Sequence, residues 1–282
     1  MVRPRVALDL SGPVLRVLSL RSGSDAAFGE RPAPEGAHFG GRIVDAAAIG
    51  EALTELLAES GVDPGEAVIA INDAATTTRI LSVPRSVDHA TVVSTFRRQV
   101  PIEPEKIAVH WTSLSPRQEG RSVFAIASDR EAVGAAAQAA QLAGLTPVAV
   151  DLKSLSIARA VGQTDAVILD VNDDKAELIC LEGGLPVLVH SFGGNGSGAD
   201  LDSASLVLAV RGGIAYYRQK HPAASTDRVW VTGTSTLPPQ ALALLESEAG
   251  VQVETAPRPL LLPESVPSGP YLICAGLLMR VE

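Results

Sequence analysis

Cysteine is scarce in this chain of 282 residues: Cys180 and Cys274 are the only two, and both lie inside apolar strings, L-I-C-L and L-I-C-A. The pair therefore reads as reduced, buried thiols, not as a disulfide or a metal site. Five histidines are scattered without ligand spacing, so no zinc motif exists. The chain lacks any basic run and carries a formal charge of −9, which argues against nucleic acid, because phosphate neutralisation needs clustered Lys and Arg. It also lacks an N-terminal signal segment and any apolar run near the roughly 18 residues of a membrane span. The expectation is a cytoplasmic protein that does not insert into a membrane by itself. An apolar fraction of 46% is ample for a core, and the length suits two domains or one bilobal unit.

What is present is a repeated design. Val6 to Leu20 reads V-A-L-D-L-S-G-P-V-L-R-V-L-S-L, and Val167 to Leu181 reads V-I-L-D-V-N-D-D-K-A-E-L-I-C-L. In each, an apolar strand delivers an aspartate, Asp9 or Asp170, to a short polar turn, and a second apolar strand follows. Duplication is the simplest source. A carboxylate at the mouth of each hairpin suits a metal-bound polyphosphate, with turn amides and hydroxyls cupping phosphate oxygens. The blander alternative is that each aspartate caps its own turn without a metal, and for a lone Asp-turn that is favoured about three to one. Alternation along the strands places Leu8, Val17, Leu169 and Ile179 in the core.

After the first hairpin, residues 22–41 are rich in Gly, Pro and Ser and show no hydrophobic period, which reads as a crossing into an inserted module. Within it, Asp45 is an N-cap for a helix with Ile49, Leu53, Leu56 and Leu57 on one face, and Gly61 stops it. Strands are expected at 67–71 and 76–83, then a helix from Ser86 through Val92, Val93, Phe96 and Val100, ended by Pro101. A hairpin of strands at 107–114 and 122–127 leads to an alanine-rich helix capped by Asp129 and closed by Gly144. Downstream, 186–190 adds a third strand to the second hairpin. Residues 203–220 carry a helical stripe of Leu206, Val210, Ile214 and Tyr217, interrupted by Gly212 and Gly213, which close packing on another backbone would explain. A strand at 228–232, a helix at 237–249 and a terminal helix complete an α/β chain.

In this order the motifs resemble the PilM family of type IV pilus assembly, actin-like relatives of FtsA. The resemblance rests on L-D-L-S-G-P-V-L-R-V-L-S-L, G-R-I-V-D-A-A-A-I-G-E-A-L, R-I-L-S-V-P, F-R-R-Q-V-P-I-E-P, L-A-G-L-T-P-V-A-V-D, L-D-V-N-D-D-K-A-E-L, I-A-Y-Y-R-Q, R-V-W-V-T-G and A-G-L-L-M-R, colinear over nearly the whole chain. It implies an actin-like (ribonuclease H-like, duplicated) bilobal α/β fold. Residues 1–41 and 146–165 would form the first lobe, 42–145 an inserted α/β module, and 166–282 a second lobe lacking most of its helical subdomain. It also implies a partner, the N-terminal cytoplasmic tail of a PilN-like bitopic membrane protein, alongside other pilus or secretion components. The chain would then lie at the inner membrane through that partner.

The same resemblance places a nucleotide site at Asp9, Ser11, Gly12, Asp170, Asn172, Gly193, Gly194, Thr232 and Gly233. Here the chain departs from its relatives. Pro13 has no N–H and Val14 no hydroxyl to offer a phosphate. Asn172 replaces the family glycine, and Asp173 and Asp174 follow it. Two like charges 4 Å apart cost roughly 4 kcal/mol at an effective dielectric of 20. Ser203 already begins a helix where the family has a subdomain over the base. Gly193, Gly194, Asn195 and Gly196 lack the helix N-terminus that gives a phosphate loop its affinity. The site is read as vestigial, with no cofactor and no ATPase activity. Arg79, Arg85, Arg97 and Arg98 form the one noticeable basic grouping and the candidate partner-binding region, although a solvated helix face is twice as favoured for any single arginine. A type II secretion platform component and an active actin-like ATPase or small-molecule kinase are the competing readings; a kinase would need intact turns and a general base.

Overall fold

The structure, a computed structural model, describes residues 6–21, 25–100, 103–117, 120–172, 175–193, 203–220, 226–235, 237 and 239–280. The chain divides into two compact units, Met1–Lys153 and Ser154–Glu282.

The first unit opens with β1 (Val6–Asp9) and β2 (Val14–Leu20), followed by β3 (Ala26–Pro32), the short pair β4 (His38–Phe39) and β5 (Arg42–Ile43), and α1 (Ala46–Ser60). β6 (Glu66–Ile71), β7 (Thr76–Val83), α2 (His89–Gln99), β8 (Ile107–Arg117), β9 (Gly120–Asp129), α3 (Arg130–Leu142) and β10 (Thr146–Leu152) complete it. Its main sheet runs β3-β2-β1-β6-β10, with antiparallel pairing on the β2 side of β1 and parallel pairing on the β6 side. Helices α1 and α3 pack on each other; α1 also lies against β3 and α3 against β10 and β6. The second unit holds α4 (Lys153–Val161), β11 (Ala166–Val171), β12 (Lys175–Glu182), β13 (Leu185–Gly193), α5 (Ser203–Lys220), β14 (Arg228–Gly233), α6 (Pro239–Ala249), β15 (Gln252–Thr255) and α7 (Ser268–Leu278). Its sheet runs β13-β12-β11-β14-β15.

The two five-stranded sheets repeat one plan. Each has two antiparallel and then two parallel neighbours in the same sequence. The hairpin registers also coincide: Asp9 pairs with Arg16 and Asp170 with Glu177, seven residues on in both. Duplication requires this. Leu8, Val17, Leu169 and Ile179 are fully buried, as the strand alternation predicts.

Three boundaries differ from the sequence expectation. Residues 22–41 are not a plain crossing, because Ala26–Pro32 pairs along β2 as the sheet's edge strand. Its weak hydrophobic pattern follows from that edge position, which tolerates the terminal Pro32. At Gly29 a Cβ would lie 1.9 Å from Ser60 Oγ, so the strand needs a glycine there to lie on α1. The expected module 42–145 also includes too much: α1, β6 and α3 belong to the five-stranded layer, since β6 pairs with both β1 and β10. What stands apart is the three-stranded sheet β7-β9-β8 with α2 packed on it. Its own small core gathers Leu81, Val92, Phe96 and Val123. The division between units falls after Lys153, so α4 belongs with the second unit and not, as expected up to residue 165, with the first.

Local signals hold where they are local. Asp45 accepts from the Ala48 amide and Asp129 from those of Glu131 and Ala132, as N-caps. Gly61 and Gly144 take positive φ at the helix ends. The cap of α2 is Asp88, two residues beyond the expected Ser86. In α5, Leu206, Val210, Ile214 and Tyr217 are buried, and the Tyr217 hydroxyl donates to the Leu181 carbonyl at 2.9 Å. The glycine pair in α5 has a different cause from the one expected: Gly213 makes room for the Leu178 side chain, and Gly212 has nothing within 4 Å. Close backbone approach occurs instead at Gly276, where a Cβ would lie 1.8 Å from the Ser156 carbonyl oxygen. Both cysteines are buried thiols outside any disulfide, and burial pushes the pKa of Cys180 up to about 12.

Candidate functional site

The two aspartates stand at the carboxyl ends of β1 and β11, the central strands of their sheets, where ligands bind in open α/β layers. Both are buried, at 2% and 3% exposure. Asp9 Oδ1 accepts from the Ser11 amide at 3.0 Å and from the Ser11 hydroxyl at 2.6 Å. This is an Asx turn: the carboxylate closes the tight corner that β1 must make to enter β2. Its other oxygen faces the Arg16 guanidinium at 3.8 Å, and Arg16 also donates to Glu30 at 2.9 Å. Arg16 reaches both because β2 is the middle strand, with Asp9 and Glu30 opposite it on either side. The Asp9 charge is thus met by a cation of the chain itself.

The Ser11 carbonyl accepts from Asn72 Nδ2 at 2.8 Å, and Asn72 Oδ1 in turn accepts from the Ala74 amide. Asn72 directly follows β6, whose pairing with β1 brings it to the Asp9 turn. His38 lies in the same neighbourhood. Neither of its ring nitrogens has a hydrogen-bond partner among the described residues. Burial lowers its pKa from the ordinary histidine value, against the opposing influence of the Leu10 backbone and the Asp9 charge. Nothing in the sequence near His38 distinguishes it, because its surroundings come from β1.

In the second unit, Asp170 Oδ2 accepts from Asn172 Nδ2 at 2.9 Å. Asn172 Oδ1 then accepts from the Thr234 hydroxyl at 3.1 Å and its amide at 3.4 Å, which ties the β11 turn to the end of β14. Thr232 sits opposite Asp170 on β14, and Gly233 passes so close to Val171 that a Cβ would lie 2.0 Å from its carbonyl oxygen. Across the hairpin, Glu177 is buried beside Lys175 Nζ at 3.3 Å and the Ser191 hydroxyl at 3.0 Å. The structure therefore groups Asp9, Ser11 and Gly12 at one turn, and Asp170, Asn172, Thr232 and Gly233 at another. Gly193 ends β13, opposite Lys175, while Gly194, Asp173 and Asp174 lie outside the described residues. Thr234 belongs to the turn Gly233-Thr234-Ser235 that the family resemblance places at the adenosine, whereas Arg16, His38, Asn72 and Glu177 were not anticipated from sequence.

The four arginines belong to the small module. Arg79 is on β7 and donates to the neighbouring Thr78 carbonyl; Arg98 is in the last turn of α2 and donates to Thr95 Oγ1. Arg97 shares that turn, where cations favour the helix C-terminus. None of the four lines the cleft of about 320 Å³ bounded by Ala74, Thr77, Glu103, Lys106, Ile107 and Ala127, with Arg42 bonded to Asp129 in its wall.

A chain of the PilM–PilN type IV pilus biogenesis complex matches with a TM-score of 0.77 and 22% identity, over 99% of this chain and 98% of that one. The fold is actin-like. The cytoplasmic domain of EpsL, an inner-membrane component of the Vibrio cholerae type II secretion system, matches with a TM-score of 0.55 and 12% identity, over 91% and 90%. A Bacteroides thetaiotaomicron protein with actin-like ATPase fold and unknown function gives 0.52 and 13%, over 96% and 94%. The resemblance drawn from the colinear motifs holds at the level of fold. No family model and no curated protein matches the chain. Among the described residues, no helix is long and apolar enough to cross a membrane.

Proposed function

We propose that this chain is a PilM-like scaffold of type IV pilus assembly, which binds the N-terminal cytoplasmic tail of a PilN-like bitopic membrane protein and hydrolyses no ATP. The observation that carries the reading is the end-to-end likeness to a chain of the PilM–PilN complex, at a TM-score of 0.77, in the order of motifs that the sequence displays. The turns support the second half of the proposal. Asp9 accepts both Ser11 donors on Oδ1 and turns Oδ2 toward Arg16, and Pro13 withholds an amide where a phosphate would need one. Asn172 fills its turn with a side chain bonded to Asp170 and Thr234. Recruitment to the inner membrane then occurs through the partner.

The cleft lined by Ala74 and Thr77 is the proposed seat of the tail, and the Arg79, Arg85, Arg97 and Arg98 face is the second candidate contact. An extended peptide held by main-chain hydrogen bonds and a few side chains should bind with micromolar affinity, about −8 kcal/mol. The test is a fluorescence titration of the full chain with the N-terminal peptide of the bitopic protein encoded beside it. Ala74 is exposed, so Ala74→Arg should block the cleft without unfolding the chain. Loss of binding in that variant supports the cleft. Binding that survives there but is lost on reversing Arg97 and Arg98 moves the tail to the arginine face; no binding by the parent chain removes the reading. The EpsL likeness favours a type II secretion platform as the second reading, with the weaker TM-score of 0.55.

A further inference from the structure

In the small module β9 pairs along one side of β8, and no described element pairs along the other. Alternate residues of β8 therefore present backbone N–H and C=O groups without a ladder partner, a row that another extended chain matches group for group. The remaining sheet edges carry the residues that discourage such pairing. β3 has Glu30, Arg31 and Pro32, β7 has Arg79, β10 has Pro147, β13 has Pro186, and β15 is only four residues long. β8 differs. Its stretch Ile107 to Ser113, I-A-V-H-W-T-S, holds no Asp, Glu, Lys, Arg or Pro, and it pairs with β9 in unbroken register up to the shift between Ser113 and Pro116. Ile107, Val109 and Trp111 share one face of the strand and pack, half-buried, against the module core around Phe96 and Val123. The apolar layer thus runs out to the open edge and stops there half covered.

We propose that β8 pairs antiparallel with β8 of a second copy about a two-fold axis through His110, joining two three-stranded sheets into one. The occupant of this edge must be an extended strand, uncharged along its length, with an apolar row on the α2 side. β8 itself is such a strand. Identical antiparallel strands are related by a dyad normal to the sheet, which leaves both α2 helices on the same side and sets the two apolar rows edge to edge. His110 is the middle of the uncharged stretch. Centring there places Val109 of each copy opposite Trp111 of the other, twice over, and an aromatic residue facing a β-branched one is a stabilising cross-strand pair. Ile107 then faces Ser113, Ala108 faces Thr112, and no Asp, Glu, Lys or Arg of the stretch meets its like. A slip by one residue would set the core face of one copy against the outer face of the other. The inference does not rest on the pilus reading.

Sedimentation velocity on the full chain from about 1 to 300 μM tests it, that range bracketing micromolar association. The parent chain should show a concentration-dependent monomer–dimer equilibrium. His110→Lys sets two ammonium groups face to face on the dyad and should weaken dimerisation by about tenfold or more, whereas Ser82→Lys on β7 should leave it unchanged. Both positions are exposed, so circular dichroism should not change. Cysteines read the register. Opposed residues of an antiparallel pair lie about 4.5 to 5.5 Å apart at Cα, within disulfide reach, so His110→Cys should give a covalent dimer on mild oxidation. Thr112→Cys should not, because the two copies of that exposed position would be roughly 13 Å apart along the strands. Cys180 and Cys274 are buried and do not compete. A chain that stays monomeric throughout, or a dimer unmoved by His110→Lys, overturns the proposal. A dimer that cross-links through Thr112→Cys and not through His110→Cys overturns the pairing about His110.

Discussion

Ser11 gives both its amide and its hydroxyl to Asp9, at 3.0 and 2.6 Å. In that arrangement the aspartate serves its own turn, and Arg16 meets its remaining oxygen at 3.8 Å. A divalent ion with its phosphates would have to displace contacts the chain already makes. Titration with Mg-ATP to millimolar levels should therefore leave the melting midpoint unchanged. A ligand at 100 times its dissociation constant contributes about 2.7 kcal/mol, which at this chain length raises the midpoint by roughly 2 to 4 °C. A saturable rise of that size would show a working nucleotide site.

If Asp9 is a turn residue, its substitution acts on stability. Asp9→Ala leaves the Ser11 donors without their acceptor in a buried setting and Arg16 with Glu30 alone, at a cost of about 1 to 3 kcal/mol. Asp9→Asn keeps an acceptor for Ser11 and should cost less. Urea denaturation with and without magnesium checks both. A change in magnesium response without a change in stability would contradict the assignment.

How much of this was legible in the sequence depended on distance along the chain. The caps at Asp45 and Asp129, the stripe of α5 and the twin hairpins rest on neighbours within a turn or a strand, and they are where the pattern put them. β3 was missed because an edge strand has a weak period; the repeat held the clue, since the second hairpin visibly has a third strand and the first must match it. The module was drawn too wide because β6 looks like any buried strand until its pairing with β1 is known. Arg16, Asn72 and His38 owe their roles to strands brought beside them by the sheet, and no window of sequence contains that information.

His38 gives a pH signature. Its folded-state pKa lies below the ordinary 6.5 because burial disfavours the charged ring. The unfolded chain therefore takes up the proton first on acidification, and the His38 contribution, full above about pH 6.5, is lost as pH falls below it. The melting midpoint should drop more steeply between about pH 7.5 and 5.5 in the parent chain than in His38→Phe. Parallel curves would mean that His38 binds its proton equally well in the folded and unfolded chain, and a shallower drop in the parent would mean that it is held charged in the fold.

Two glycines in helices should answer alanine in opposite directions. Gly276 in α7 crosses α4 so closely that the new Cβ would meet the Ser156 carbonyl oxygen at 1.8 Å, and Arg159 donates from the same helix to the Gly276 carbonyl at 3.0 Å. The atoms that the Cβ would meet all belong to the Ser156 backbone, so α4 and α7 would have to part. Gly276→Ala should cost about 3 kcal/mol or more. Gly134 lies exposed in the middle of α3 with nothing within 4 Å of a would-be Cβ. There the substitution only removes backbone freedom from the unfolded chain, and Gly134→Ala should gain about 0.5 to 1 kcal/mol. Urea midpoints of the two variants beside the parent chain decide both. A Gly276→Ala variant as stable as the parent would mean that α4 and α7 do not cross as closely as described.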